Sequence, residues 1–305
     1  MNKEEKFLSI ISNTLSDNSF LGDDCAYLKE YNLVVSQDTL VQDVHFRKDT
    51  ISAFDLGKKA LLVNISDILA SGAKPEYLTI SLSGNFDEKF IKDFYDGADK
   101  ICNDFNLKII GGDLTGGDKI NISITIFGNT KNRNISSRKN AKEGYIVLLA
   151  GEAGSSAIGL SFLENLNSMP EMNNLSKKEK EYFIKAHIEP KLYPKISEKT
   201  AKACKKPYVM MDTSDGLFDA LKKISESSNV GFNIEFNKIP KKNDNFNTVM
   251  FGGEDFGLLI CIAQSDYNLI KDDINIPVIG YVTKNKEILI DGNKITKDFR
   301  YEHFR

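Results

Sequence analysis

Residues 53–71 set the tightest limit on how this chain can fold. Leu56, Leu61, Leu62, Val63, Ile65, Ile68 and Leu69 cover most of the surface of this stretch. That is the pattern of a helix buried on nearly every side. Gly72 follows in the position that helices favour for a left-handed cap. A narrow seam of Gly57, Ala60, Asn64, Asp67 and Ser71 shares one face by 3-4-3-4 spacing. A carboxylate in such a helix is costly unless a cation, a donor or its own proton relieves it. Two readings follow: Asp67 belongs to a ligand site, or the helix packs closely on a strand and a backbone donor holds Asp67.

Strand and helix signals alternate around this helix. Strands are expected over 32–36, 77–83, 107–110 and 120–126, with an amphipathic helix over 87–105. The polar, basic stretch 130–142 is the best candidate for a domain boundary. Beyond it, strands are expected near 145–150, 208–211, 231–236, 256–262, 277–283 and 287–291. Helices are expected near 155–165, 176–187, 194–204, 216–228 and 265–273, with polar loops over 167–178 and 238–247. The fold class is α/β (α+β), in two domains of about 1–135 and 136–305.

The carboxylates sit where they would pack poorly. Asp23 and Asp24 follow Gly22, and Asp38 ends an apolar strand. Asp113 follows two glycines, Asp212 and Asp215 bracket Ser214 ahead of Gly216, and Glu254 and Asp255 follow Gly252-Gly253. Glycine beside an acid lets backbone N–H groups approach a ligand closely. Acids gathered in one cleft repel each other unless a metal is present. The chain has 3 His and 4 Cys, without ligand spacing, so a zinc site or disulfide framework is not suggested. The fitting ion is Mg²⁺, which takes carboxylates, water and phosphate oxygens. Acid clusters with glycine turns therefore suggest nucleotide phosphate chemistry.

Other classes are disfavoured. A formal net charge of −3 offers no basic excess to nucleic acid or a membrane. No signal peptide and no run of 18 apolar residues is seen, so the cytoplasm is the expected location. The P-loop, the protein-kinase motifs and G-x-S-x-G are missing. Gly151-Glu152-Ala153-Gly154 misses the spacing of a dinucleotide fingerprint.

Taken together, several segments resemble the thiamine-monophosphate kinase family of the aminoimidazole-ribonucleotide-synthetase-like ATP-binding superfamily. They are Gly22-Asp23-Asp24-Cys25-Ala26, Gln37-Asp38-Thr39-Leu40-Val41 with His45-Phe46, and Lys59-Ala60-Leu61 through Val63-Asn64-Ile65-Ser66-Asp67. Gly72-Ala73-Lys74-Pro75, Gly111-Gly112-Asp113, Asp212-Thr213-Ser214-Asp215-Gly216-Leu217, Gly252-Gly253-Glu254-Asp255 and Tyr301-Glu302-His303-Phe304 complete the set. These blocks span nearly the whole chain.

The resemblance implies transfer of a phosphoryl group from ATP, the co-substrate, to thiamine monophosphate, giving thiamine diphosphate, with several Mg²⁺ ions. The metal ligands would be Asp23, Asp38, Asp67, Asp113, Asp212 and Asp215, of which Asp38, Asp67 and Asp212 carry the catalysis. ATP would meet Tyr95, Gly112, Asp113, Arg138 and Ser214, and the thiamine moiety His45, Glu254 and Tyr301. The family fold implies an N-terminal domain that dimerises through its sheet, so a homodimer, with the active site between the domains.

The chain departs from the family pattern at Gln37, where Thr is usual, and at Leu114, Tyr145, His187 and Lys195. An acceptor that is itself a phosphate is already ionised near neutral pH, so the transfer needs charge neutralisation and in-line positioning more than a base. Rival readings are selenophosphate synthetase, the hydrogenase-maturation carbamoyl dehydratase, a purine-pathway synthetase and a non-catalytic ATP·Mg²⁺ sensor. No Cys precedes Cys25, and the chain ends in His303-Phe304-Arg305. The first rival wants a reactive Cys upstream and the second a reactive cysteine tail.

Overall fold

The computed structural model describes residues 3–164 and 175–295. After α1 (Lys3–Thr14), five strands form one sheet in the order β1-β2-β5-β3-β4. These are β1 (Ala26–Leu28), β2 (Leu33–Val41), β3 (Lys74–Gly84), β4 (Lys108–Gly116) and β5 (Asn121–Asn129). Helices α2 (Ala53–Ser71) and α3 (Glu88–Phe105) belong to the same half. Ile122, Ile124 and Ile126 of β5 and Leu78, Ile80 and Leu82 of β3 are buried in one core with Leu56, Leu61, Ile65 and Ile68 of α2. The period-2 alternation of β5 thus puts its isoleucines against the helices and its polar residues on the other face.

Two glycines bring α2 and α3 together. A Cβ on Gly57 would lie 2.0 Å from the Phe94 carbonyl oxygen, and one on Gly97 1.9 Å from that of Phe54. The small residues of the seam on α2 thus serve helix packing at Gly57. Gly72 closes α2 in the left-handed conformation, its N–H bonded to Leu69 O.

The second half is built on a seven-stranded sheet in the order β12-β11-β8-β10-β6-β9-β7. Its strands are β6 (Ile146–Ala150), β7 (Val209–Asp212), β8 (Gly231–Ile234), β9 (Leu258–Ile262), β10 (Val278–Thr283), β11 (Ile288–Ile290) and β12 (Asn293–Lys294). Its helices are α4 (Ser155–Leu163), α5 (Lys177–Ile188), α6 (Pro194–Ala203), α7 (Leu217–Ser228), α8 (Phe246–Phe251) and α9 (Gln264–Ile274). One face of the sheet buries Leu217, Leu221 and Ile224 of α7 with Val249 of α8. The other buries Ile270 and Ile274 of α9 and, from the first half, Ala70 of α2. Helix α2 therefore belongs to both halves: it packs on the first sheet and on β7.

Two strands that carry candidate acids differ from the sequence-based expectation. β2 runs on to Val41, paired with β5 along its whole length, so Asp38 lies inside the strand and does not end it. β4 runs through Gly111-Gly112-Asp113 to Gly116. The glycines are not a strand end. A Cβ on Gly112 would lie 1.9 Å from Ile80 O of the neighbouring strand, so that position needs a residue without one. α1 and α8 were not expected, and α8 begins inside the stretch expected to be loop.

Candidate active site

The site grows from the place where α2 meets β7. Ser66 Oγ on α2 donates to Asp212 Oδ2 at the end of β7, at 2.8 Å. The next residue, Asp67, accepts from Ser36 Oγ of β2 at 2.7 Å. Ser214 Oγ donates to the other Asp212 oxygen at 2.8 Å. Among the described residues neither Asp67 nor Asp212 takes part in an ion pair. Burial, then the charges of Asp212 and Asp38, push the Asp67 carboxyl well above the usual carboxylate range. Burial also raises Asp212, against the hydrogen bonds from Ser66 and Ser214. A buried Asp212 and a half-buried Asp67 that lines the cavity, both held by hydroxyl donors and neither in an ion pair among the described residues, are the arrangement that a divalent cation relieves.

A cavity of about 420 Å³ opens beside Asp67, with Asp212 behind its wall. Its wall includes Asp24, Asp38, Asp67, Ser214 and Asp215 together with His45 and Glu254, and the apolar side chains of Leu40, Val63, Leu160 and Phe256. The order of residues along two elements gives the cavity direction. On β2 the inward positions run Ser36, Asp38, Leu40, ahead of His45. On α2 they run Asp67 and Val63, with the buried Lys59 one turn further on behind the wall. Asp67 meets Ser36, and Asn64 Oδ1 accepts the Asp38 N–H at 3.2 Å, so the two series run side by side. One end is acidic, and the other is apolar and closed by His45 and Glu254. His45 Nδ1 accepts the Val41 N–H at 2.9 Å, which leaves Nε2 to carry the ring proton in the neutral form.

Arg138 lies in a short 3₁₀ turn, Arg138–Asn140. Its guanidinium grips both oxygens of Asp24. Ser137 Oγ donates to Asp23 at 2.6 Å. Asp23 faces a second cavity, of about 500 Å³, that Asp24 also lines, with Arg133, Ser137 and Lys139 on its wall. Asp215 accepts from Lys223 Nζ at 2.7 Å, and the same ammonium lies 2.8 Å from Asp219.

The family model for AIR synthase related protein, N-terminal domain, matches residues 22–130. Thiamine-monophosphate kinase of Bacillus subtilis (strain 168) is 34% identical over 309 residues, covering 93% of this chain and 93% of that protein. The chain belongs to the thiamine-monophosphate kinase family. A solved structure of AaThiL complexed with AMPPCP and TMP superposes with a TM-score of 0.86 at 26% identity, covering 100% of this chain and 99% of the other. The HypE–HypF complex reaches 0.71 at 21% identity, over 96% and 97% of the two chains, a likeness of fold.

For a member of the thiamine-monophosphate kinase family, the placement of the expected residues divides into two groups. Asp38, Asp67, Asp212, Asp215, Ser214, His45 and Glu254 meet at the main cavity or directly behind it, with Asp23 and Arg138 beside them. Gly112 and Asp113 do not meet them within one chain. Asp113 lies opposite Ser81, Ser81 opposite Ser123, and Ser123 opposite Thr39. Residues paired in this way share a face, so Asp113 lies on the face of Thr39, whereas Asp38 faces α2. Three strand spacings, about 14 Å, separate β4 from β2. Tyr95, on α3, packs half-buried at the edge of the first core, edge-to-face with Phe94 at 5.5 Å. Tyr301 lies outside the described residues.

Sequence reasoning gave no site role to Asp24, Lys59, His187 or the hydroxyls of Ser36 and Ser66. Asp24 was legible as Asp23's neighbour, but nothing local said which of the two would face the cavity. The pair Asp67 and Asp212 supplies a prediction. In protein without divalent cations, Asp67→Asn or Asp212→Asn relieves like-charge repulsion, so Tm at neutral pH should rise by about 2–4 °C while phosphoryl transfer is lost. Thermal unfolding of the two variants checks this. A clear fall in Tm would mean that the carboxylates stabilise the fold.

Proposed function

We infer that this chain catalyses ATP-dependent phosphorylation of thiamine monophosphate to thiamine diphosphate. The observation that carries the reading is the two-ended cavity, acidic at Asp38, Asp67 and Asp215 and apolar near Glu254 and His45, in a chain 34% identical to a thiamine-monophosphate kinase over nearly its whole length. A phosphate ester on a heteroaromatic body matches both ends. The same identity favours this activity over the hydrogenase-maturation alternative.

The donor set fits Mg²⁺. It is all oxygen, and its innermost members, the half-buried Asp67 and the buried Asp212, have no ion-pair partner among the described residues. No three His, Cys, Asp or Glu side chains among the described residues form a ready metal cage. This suits an ion that keeps waters and takes phosphate oxygens as its remaining ligands. Asp23, Asp38, Asp67, Asp113, Asp212 and Asp215 would hold such ions, which when bound neutralise charge on the donor and acceptor phosphates.

The chain's own residues do the rest. Arg138 and Ser214 are assigned to the nucleotide, and Glu254 and His45 to the thiamine body. Leu40, Val63, Leu160 and Phe256 give the thiamine body an apolar wall. An ionised oxygen of the acceptor phosphate attacks the γ-phosphorus as its bond to the bridging oxygen breaks, and ADP leaves. No base and no phosphorylated side chain is required.

We further propose that the working unit is a homodimer, with the chain divided near residues 135 and 136. The support is β4, an edge strand exposed along its length, with Ile110 and Leu114 about 60% exposed. Such an edge needs a cover. If Tyr95, Gly112 and Asp113 serve a nucleotide, a second copy must bring them to the cleft. We place the protein in the cytoplasm, in keeping with its four free thiols.

Two experiments test these readings. Purified protein with ATP, Mg²⁺ and thiamine monophosphate should release thiamine diphosphate and ADP in equal amounts by chromatography; folded protein that forms no product would refute the activity. Asp38→Ala and Asp113→Ala proteins should each be inactive. Their reassembled mixture should regain about a quarter of wild-type activity, because half the dimers carry one intact site. An inactive mixture that contains mixed dimers would refute the shared site.

A further inference from the structure

We propose that Lys59 and His187 are positioning residues that aim the Glu254 carboxylate into the apolar end of the cavity. This inference rests on the proposed activity. Lys59 lies on α2 with its side chain 1% exposed, and its Nζ is 3.2 Å from Glu254 Oε2. An ammonium that deep in a helix of leucines and isoleucines needs an anion beside it, and Glu254 reaches it from the other half of the chain. The His187 ring on α5, also buried, brings Nδ1 to 3.2 Å from the same oxygen. Its Nδ1 also lies 2.9 Å from Ser156 Oγ, and its Nε2 3.2 Å from Lys59 Nζ.

These contacts assign the ring's proton. Burial and the Lys59 charge lower the His187 pKa to about 4, so the ring is neutral at physiological pH. Lys59 can only donate, so Nε2 must accept and the proton sits on Nδ1, facing Ser156 and Glu254. Both contacts to the carboxylate converge on Oε2, and Oε1 takes part in neither. Burial opposes ionisation of Glu254, but Lys59, His187 and His45 together hold its carboxyl below its ordinary value. It therefore stays an acceptor.

The backbone around Glu254 is held as firmly. Glu254 and Phe256 both adopt left-handed conformations, at φ 63° and 50°, which non-glycine residues keep only where their surroundings impose them. Asp255, between them, accepts the N–H groups of Gly154 at 2.6 Å and Ser156 at 2.8 Å. The loop is thereby tied to the start of α4, which also carries the Ser156 hydroxyl against His187. Lys59, His187 and Ser156 thus fix one oxygen of a carboxylate that lines the cavity, and leave the other to the ligand.

A buried cluster of this kind could also serve stability alone, and steady-state kinetics separates the two roles. His187→Leu should raise KM for thiamine monophosphate about tenfold, the effect of misplacing a charge-assisted hydrogen bond, and leave KM for ATP within about twofold. His187→Asn, which keeps an N–H near the Nδ1 position, should recover most of the loss. If the leucine variant does not fold, Ser156→Ala should show the same split at about threefold. A lowered Tm with both KM values unchanged, or an equal rise in both, would overturn the positioning role. Wild-type protein without turnover would instead overturn the proposed activity, and this inference with it.

Discussion

The contact between α2 and β7 brings two carboxyls together, a buried Asp212 and a half-buried Asp67 at the cavity wall, with no ion pair to either among the described residues. Most of the site follows from that contact. The Ser66 hydroxyl ties one half of the chain to the other at Asp212, and the next residue turns its carboxyl to Ser36. A folded chain keeps such a pair only if the surrounding packing compensates for it, or if a ligand completes it. Here the packing is ample: α2 is buried along nearly all its length, between the first sheet and the second half. The fold can therefore hold two acids in a position that is unfavourable for the protein alone, as functional sites commonly do.

The same helix explains why the cavity has two ends. Asp67, Val63 and Lys59 follow one another along one side of α2, and Ser36, Asp38 and Leu40 run beside them on β2. Polarity thus changes within about two helical turns, from carboxylates to aliphatic side chains and then to the Lys59–Glu254 pair. A ligand with a phosphate at one end and a flat heteroaromatic body at the other meets suitable chemistry along the whole path.

Much of this was legible in the sequence. The apolar surface of 53–71, the Gly72 cap, the amphipathic period of 87–105 and the alternation of 120–126 are local signals, and each predicted its element. Asp67 stood out because a carboxylate inside an apolar helix has few explanations. What was not legible depends on long-range register. Gly111-Gly112 reads locally as a strand end, yet Gly112 is there for the close approach of β3, so Asp113 lies mid-strand. That Asp113 and Asp38 lie on opposite faces follows only from the pairing of four strands. Lys59 was hidden for a similar reason. Beside Lys58 it looks like part of a solvated basic pair, and only the arrival of Glu254 from the far half makes its burial possible.

If divalent cations complete the Asp67–Asp212 pair, thermal stability should depend on pH and on the cation together. The direct test is thermal unfolding of wild-type protein across pH 5 to 8, with and without millimolar Mg²⁺ at matched ionic strength. Carboxyls raised in the folded state hold their protons above the pH at which the unfolded chain loses them. Stability without metal should therefore fall as pH rises from the usual carboxylate range through the raised values. Mg²⁺ takes the place of those protons, so the Tm gained on adding it should widen toward pH 8, and most of the gain should vanish in Asp67→Asn. A gain that does not change with pH, or that survives intact in the Asn variant, would contradict the claim.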